Sequence, residues 1–197
     1  MELLRAFIAI ELPDSLKQEL VNLQNVLKSR RHDYIKWVEP SNMHLTLKFL
    51  GDVPGDKIKD ILSAMQESVA GVEPFSLFVK GLGTFPSLKR IQVIWVGLEG
   101  ELATLMKLQK NIEENLDILG FPPEEREFTP HLTLGRLRFQ PPDEEKERIT
   151  GLITGLKFES DANIKVTSLN LMKSVLTPKG PVYTRLGEVD FGAKKET

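Results

Sequence analysis

The tetrapeptide His-Leu-Thr-Leu occurs twice in this chain, at residues 44–47 and 131–134, and this repetition limits the possible folds more than any other feature. The same order of predicted elements surrounds each copy: strand, helix, motif strand, helix and strand. Equal stretches of sequence also separate Phe7 from His44 and Ile94 from His131. We therefore predict a duplicated unit, with repeat halves at about 1–84 and 90–190, that forms one bilobal domain over residues 1–197.

Hydrophobic periodicity predicts the elements of each half. Alternation or short apolar runs predict strands at residues 3–11, 34–38, 43–50, 75–82, 91–98, 128–137, 164–173 and 182–186. Apolar residues at helical spacing predict helices at residues 14–27, 56–69, 101–119 and 141–153. Duplication implies a pseudo-two-fold axis, across which two equivalent strands can face each other, so each motif strand is expected to supply half of one site.

The motif itself predicts a pair of catalytic histidines. A strand sends alternate side chains to opposite faces, so the leucines of each motif go to the core while His44 and Thr46, or His131 and Thr133, share the other face. One neutral imidazole can take a proton from a nucleophile, and one protonated imidazole can give a proton to a leaving oxygen. Hydroxyl groups can donate to phosphate oxygens. The set predicts phosphoryl transfer at a ribose phosphate, and it requires no metal ion.

The paired motifs resemble the signature of the 2H phosphoesterase superfamily. The wider segments 5–13, 42–51 and 128–136 are similar to bacterial and archaeal RNA 2',3'-cyclic phosphodiesterases, which have also been called 2'-5' RNA ligases. The resemblance covers nearly the whole chain, and the four signature positions show no departure from the pattern. It implies an α+β fold with two mainly antiparallel sheets flanked by helices, and an active cleft between the lobes.

The resemblance also implies a reaction and its residues. The cyclic phosphate end of an RNA, or a small cyclic nucleotide, would be hydrolysed to a 2'-phosphate without a cofactor or a metal. His44 would be the general acid on the departing 3' oxygen, and His131 the general base for water. Thr46 and Thr133 would bind the phosphate. The residues alone cannot divide the two histidine roles, because the motifs are identical and the repeat is symmetric.

Other residues near the motifs are weaker candidates. Arg136 is predicted to bind phosphate; strict alternation would turn it away from the site, but a bulge at Gly135 would turn it inward. Phe7, Lys48 and Tyr183 are candidates for contact with the substrate. Phe7 either stacks on a base or packs in the core. Lys48 either lines the mouth of the cleft or ends its strand in solvent.

Composition excludes several classes of protein. The chain is 41% hydrophobic and 27% charged, has no cysteine for a disulfide or thiolate site, and contains no apolar run near the roughly 20 residues of a membrane span. Its apolar start runs into Glu11 without a basic leader, so we expect a strand rather than a signal peptide, and a cytoplasmic monomer. The net charge of −2 predicts that an RNA end is bound by a few local cations. The third histidine, His32, is expected to be exposed in a polar loop.

Three alternatives remain open at the level of sequence. If a 5'-hydroxyl of a second RNA replaced water, the same acid and base would form a 2'-5' linkage. A module that binds ribonucleotides without turnover would need donors, but not two histidines that can exchange protons. A purely structural duplication explains the leucines but not the recurrence of His and Thr on the opposite face.

Overall fold

The computed structural model describes residues 2–28, 34–178 and 180–192, so the loop predicted to carry His32 lies outside the described residues. Within these ranges the strands are β1 (Leu3–Glu11), β2 (Ile35–Trp37), β3 (His44–Pro54), β4 (Phe75–Ser87), β5 (Arg90–Gly100), β6 (His131–Leu137), β7 (Glu159–Val166), β8 (Ser168–Thr177) and β9 (Gly180–Asp190). The α-helices are α1 (Asp14–Lys28), α2 (Ile58–Ser68), α3 (Leu102–Asp117) and α4 (Asp143–Gly155). Single turns of 3-10 helix flank β3 at Pro40–Asn42 and Gly55–Lys57.

The strands form two antiparallel sheets. The four-stranded sheet has the order β3-β1-β8-β9, and the five-stranded sheet has the order β2-β6-β5-β4-β7. Helices α2 and α3 contact each other and strands of the four-stranded sheet, whereas α1 and α4 contact strands of the five-stranded sheet. The predicted α+β fold with two lobes is therefore confirmed.

The two lobes do not coincide with the two halves of the sequence. Strand β4, which ends the first half, pairs with β5 in the five-stranded sheet, while β8 from the second half pairs with β1. The helices α1 and α3 are exchanged between the halves in the same way. Each packs on the sheet that contains the motif strand of the other half. Each motif strand is therefore supported by elements from the other half of the chain.

Strand pairing corrects the sequence alignment of the two repeats by one residue. Phe7 of β1 lies opposite Phe49, and Val93 of β5 lies opposite Arg136. Phe49 and Arg136 occupy the same place after their motifs. Phe7 therefore corresponds to Val93 rather than to Ile94.

The strand predicted at residues 164–173 is wrong as a single element. The chain leaves the five-stranded sheet and enters the four-stranded sheet at Thr167. The buried side chains change parity at this point, from Ile164 and Val166 to Leu169 and Leu171. A regular strand keeps its buried residues at one parity, so this change is the sequence signal of the break.

The helical stripes predicted from leucine spacing form part of the core. The fully or almost fully buried hydrophobic residues of α1 and α3 are Leu16, Leu20, Leu23, Leu27, Leu105, Leu108, Ile112 and Leu116. Burying one such side chain contributes about 1.5–3 kcal/mol to the free energy of unfolding. No helix within the described ranges has the length and apolar character needed to span a membrane.

Candidate active site

Both motif strands begin at the motif histidine. β6 starts at His131 rather than at the predicted residue 128, because Pro130 has no N–H to donate to a neighbouring strand. In each motif the two leucines are buried, while the histidine and threonine are half-buried on the opposite face. Strands β3 and β6 also contact each other where the two sheets meet. The two strands that carry the motifs are therefore neighbours in space.

Each motif strand contains a β-bulge at the last leucine of its tetrapeptide motif. The pairing partner shifts at Leu47 in β3 and at Leu134 in β6. An extra residue reverses the alternation, so the residue after the bulge is also buried, and the next one, Phe49 or Arg136, is exposed on the face of the histidine. The bulge expected near the second motif is therefore present, one residue before Gly135.

Close packing, rather than backbone conformation, explains why a glycine occupies position 135. A Cβ atom at this position would lie 2.7 Å from Cγ2 of Ile35 and 3.1 Å from Cε3 of Trp37. Both residues belong to β2, which pairs with β6 beside the bulge. The glycine therefore allows β2 to approach closely.

The first bulge moves Lys48 to the face opposite the one predicted. Its side chain is almost fully buried, forms an ion pair with Glu113 of α3, and donates from Nζ to the carbonyl oxygen of Pro122 at 2.8 Å. Gln109 donates to the other carboxylate oxygen of Glu113 at 2.8 Å. Lys48 thus neither lines the cleft nor ends its strand in solvent. Strict alternation along β3 predicts the wrong face for this residue, because the bulge at Leu47 adds one residue.

Phe7 lies beneath the first histidine. Its ring is 3% exposed and stacks on the imidazole of His44, with 4.8 Å between ring centroids. The packing alternative for Phe7 therefore describes its position, because neither ring face is free for a base. Phe49 is 59% exposed, and its ring centroid is 6.1 Å from that of Phe7. Sequence reasoning did not select Phe49, although its equivalence to Arg136 was the signal available.

His44 lies in an aromatic environment. The Tyr183 ring approaches it edge-on at 5.1 Å, so this residue of β9 does reach the motif. Burial is the main cause that lowers the pKa of His44 to about 4. A hydrogen bond to the backbone of Asn42 raises this pKa, and the charge of Lys17 lowers it. His44 is therefore neutral near pH 7 in the unliganded chain. Burial also raises the pKa of the Tyr183 hydroxyl.

His131 has similar surroundings. Its ring lies 4.8 Å from Phe85 and 6.3 Å from Trp95. Its Nδ1 is 2.7 Å from the carbonyl oxygen of Thr129. A carbonyl only accepts, so Nδ1 carries the hydrogen and Nε2 has a free lone pair in the neutral ring. Burial lowers the pKa of His131 most strongly, the Thr129 hydrogen bond raises it, and the charge of Arg136 lowers it.

The hydrogen bonds of the two histidines are equivalent. His131 bonds to the backbone of Thr129, and His44 to the backbone of Asn42, which in each case is the residue two positions earlier in the chain. Such a bond fixes the tautomer and the orientation of an imidazole. The repeat therefore preserves the support of each ring as well as the ring itself.

Arg136 links the two motifs electrostatically. Its charge lowers the pKa of His131 and opposes the rise in the pKa of Tyr183, whose ring contacts His44. Lys36 lies directly opposite Arg136 across the β2–β6 pair and so shares its face. These two side chains form a local cationic patch in a chain whose net charge is −2.

The functional groups suit proton transfer and anion binding. Each imidazole is held by one backbone hydrogen bond, each strand also presents a threonine hydroxyl, and a guanidinium lies on the second strand. Among residues 2–28, 34–178 and 180–192, no group of three or more His, Asp or Glu side chains could hold a metal ion. The groups that are present can donate or accept protons and bind a phosphate.

The sequence matches a family model described as LigT like Phosphoesterase. The match occurs twice, at residues 10–95 and 96–183, so one copy of the model covers each motif. Together the two matches extend over most of the chain.

Similar proteins are found in archaea. An RNA 2',3'-cyclic phosphodiesterase from Methanothermobacter thermautotrophicus is 36% identical over 180 residues, which cover 91% of this chain and 95% of that protein. Another from Methanocaldococcus jannaschii is 36% identical over 185 residues, which cover 94% of this chain and 99% of that protein.

Solved structures share the fold. The crystal structure of TT0787 from Thermus thermophilus superposes with a TM-score of 0.77, at 29% identity and with coverage of 95% of this chain and 97% of that one. The E. coli LigT structure in complex with 3'-AMP gives a TM-score of 0.73, with coverage of 97% of this chain and 99% of that one. Its identity is 23%, so it supports the fold alone. The duplicated motifs, the two sheets that each combine strands from both halves, and these matches show that the chain belongs to the LigT-like phosphoesterase family.

Proposed function

We propose that this chain hydrolyses the 2',3'-cyclic phosphate end of an RNA, or a small cyclic nucleotide, to a 2'-phosphate without a metal ion. His44 is the proton donor and His131 the proton acceptor. The observation that carries the proposal is the equivalence of the two histidines: each is half-buried, precedes a threonine on the same face, and bonds to the backbone two residues earlier. The names of the archaeal relatives support the substrate class.

The reaction balances with these two groups. His131 takes a proton from water as the water oxygen forms a bond to phosphorus. The bond from phosphorus to the 3' oxygen breaks, and His44 gives its proton to that oxygen. The products are a 2'-phosphate and a free 3'-hydroxyl, and each imidazole returns to its starting state by proton exchange with solvent. Thr46, Thr133 and Arg136 bind the non-bridging oxygens, where charge grows in the transition state.

A direct test is incubation of 2',3'-cyclic AMP with protein that has been dialysed against EDTA. We expect full conversion to a phosphomonoester, at a rate that added Mg²⁺ or Zn²⁺ does not raise. A nucleotide-binding module would instead bind the cyclic nucleotide and leave it intact. Recovery of activity only on addition of a metal ion would overturn the proposed mechanism. The monomeric state and the cytoplasmic location expected from the sequence stay predictions.

The lowered histidine pKa values predict an acidic optimum for kcat/KM. This parameter reports the free enzyme, in which the acid must carry a proton and the base must not. Burial lowers the pKa of both rings below the ordinary value of 6.5. At each pH unit above its own pKa, the protonated fraction of the acid falls about tenfold. We therefore expect kcat/KM, measured by initial rates, to be greatest below pH 6.5 and to fall above it.

The pH dependence of kcat, which is measured at saturating substrate, should differ from that of kcat/KM. The bound phosphate is an anion and raises the pKa of a nearby imidazole, so the basic limb of kcat should lie at higher pH than that of kcat/KM. A kcat/KM that stays constant from about pH 6 to about pH 9 would contradict a protonated imidazole as the acid.

Phe49 is proposed to stack on the base next to the cyclic phosphate, because it is the exposed aromatic ring beside the His44 stack. Stacking of a base on an aromatic ring contributes about 1–3 kcal/mol, so Phe49→Ala should raise KM about 5- to 150-fold and change kcat little. Phe139→Ala is the matched control, since Phe139 is equally exposed but contacts Tyr34. Steady-state kinetics with 2',3'-cyclic AMP check this. An equal rise in KM for ribose 2',3'-cyclic phosphate, which has no base, would contradict stacking.

A further inference from the structure

The side chain of Gln24 is bound to the bulge of the second motif strand. Gln24 lies on α1 and is 1% exposed. Its Nε2 donates to the carbonyl oxygen of Leu134, the bulge residue, at 2.9 Å, and to the carbonyl oxygen of Val38 at 2.8 Å. Its Oε1 accepts from Nζ of Lys28 at 3.4 Å. Both amide hydrogens are thus used on backbone carbonyls at the point where the alternation of β6 reverses.

The bulge is held from a second direction as well. The backbone N–H of Val38 donates to the Leu134 carbonyl oxygen at 2.9 Å. The Gln24 carboxamide and the Val38 N–H therefore connect three segments by hydrogen bonds: helix α1, the residue after β2, and the bulge in β6. Since a shift of one residue turns every following side chain to the other face, the bonds at Leu134 decide which side chain β6 presents after the motif.

The first motif strand has a counterpart of this arrangement. Its buried polar link comes from α3, the equivalent helix of the other half, through the Lys48–Glu113 ion pair described above. Lys48 directly follows the bulge at Leu47. In both lobes, then, the helix that crosses from the other half binds the motif strand at its bulge through a buried polar side chain.

We propose that Gln24 is a positioning residue that fixes the Leu134 bulge and so turns Arg136 toward the phosphate. Arg136 reaches the face of His131 only because the bulge adds one residue, as shown by its pairing with Val93 while Thr133 pairs with Trp95. Gln24 makes no contact with the reacting atoms and acts through the backbone. The role of Arg136 rests on the proposed function, whereas the control of the bulge does not.

A double-mutant cycle tests this coupling. Gln24→Met keeps the length of the side chain but removes both donors, and Arg136→Ala removes the group that the bulge directs. Gln24→Met should lower kcat/KM for 2',3'-cyclic AMP about tenfold in the wild-type background and less than about twofold in the Arg136→Ala background. Gln24→Glu, which keeps a polar group but has no amide donors, should behave as Gln24→Met does.

A general loss of stability is distinguished by a matched control. Asn111→Leu removes an amide of α3 that donates to the carbonyl oxygen of Ser68 of α2 at 3.1 Å and makes no bond to a motif strand, so this variant should leave kcat/KM unchanged. Equal losses from Gln24→Met in both backgrounds, or no loss in either, would overturn the inference. If the wild type does not hydrolyse the substrate, the proposed function fails. In that case a crystal structure of Gln24→Met tests the control of the bulge. If the Arg136 side chain still lies on the same face of β6 as Thr133, the inference is overturned.

Discussion

His131→Ala should lower kcat for 2',3'-cyclic AMP about 10²- to 10⁴-fold, and His44→Ala should lower it by a similar factor. Each variant removes one of the two proton transfers that the reaction requires. The double variant should lose little more than either single variant, because one histidine without the other cannot complete the exchange. Initial rates near the pH optimum measure these losses, and circular dichroism confirms that the variants are folded.

The leaving group separates the two roles. A phosphodiester that releases para-nitrophenolate needs no proton on its leaving oxygen, because that anion is stable. His44→Ala should therefore recover much of its lost rate on this substrate, while His131→Ala should not. Equal recovery in both variants would contradict the assignment of His44 as the acid, and recovery in His131→Ala alone would reverse it.

Lys48→Met should lower the free energy of unfolding by about 3–5 kcal/mol, because it leaves the Glu113 carboxylate buried without its cation. For a chain of this size each kcal/mol corresponds to roughly 2–4 °C in Tm, so Tm should fall by about 6–20 °C. Urea unfolding and thermal melts at neutral pH measure both quantities. Lys48→Met with Glu113→Leu should recover most of the loss, since replacing both partners leaves no unpaired charge.

An exposed ion pair provides the comparison. Lys57 and Asp60 are 3.2 Å apart, with side chains that are 48% and 51% exposed. Lys57→Met should change the free energy of unfolding by less than about 1 kcal/mol, because solvent screens such a pair. Similar effects of Lys48→Met and Lys57→Met would contradict a structural role for the buried pair.

Features that depend on local periodicity were predictable from the sequence. The leucines of the two motifs and of α1 are buried as their spacing indicates, and the histidines lie on the opposite face from those leucines. The duplication was also visible, because two identical tetrapeptides lie in similar surroundings. Local periodicity suffices here, because the side-chain period of a strand or helix is fixed by backbone geometry.

Features that depend on pairing between distant segments were not predictable. The exchange of β4 and β8 between sheets is decided by which strands pair, which no local pattern records. The bulge at Leu47 has no local signal in the sequence, whereas Gly135 indicated the bulge at Leu134. Strict alternation along β3 therefore predicts the wrong face for both Lys48 and Phe49.

The identity of the product tests the paired-histidine mechanism most directly. Phosphorus NMR of the wild-type reaction with 2',3'-cyclic AMP in EDTA distinguishes the two possible monoesters. If His44 protonates the departing 3' oxygen while His131 activates water, the spectrum shows adenosine 2'-phosphate alone. Adenosine 3'-phosphate as the product, or a cyclic phosphate signal that persists, would contradict this account.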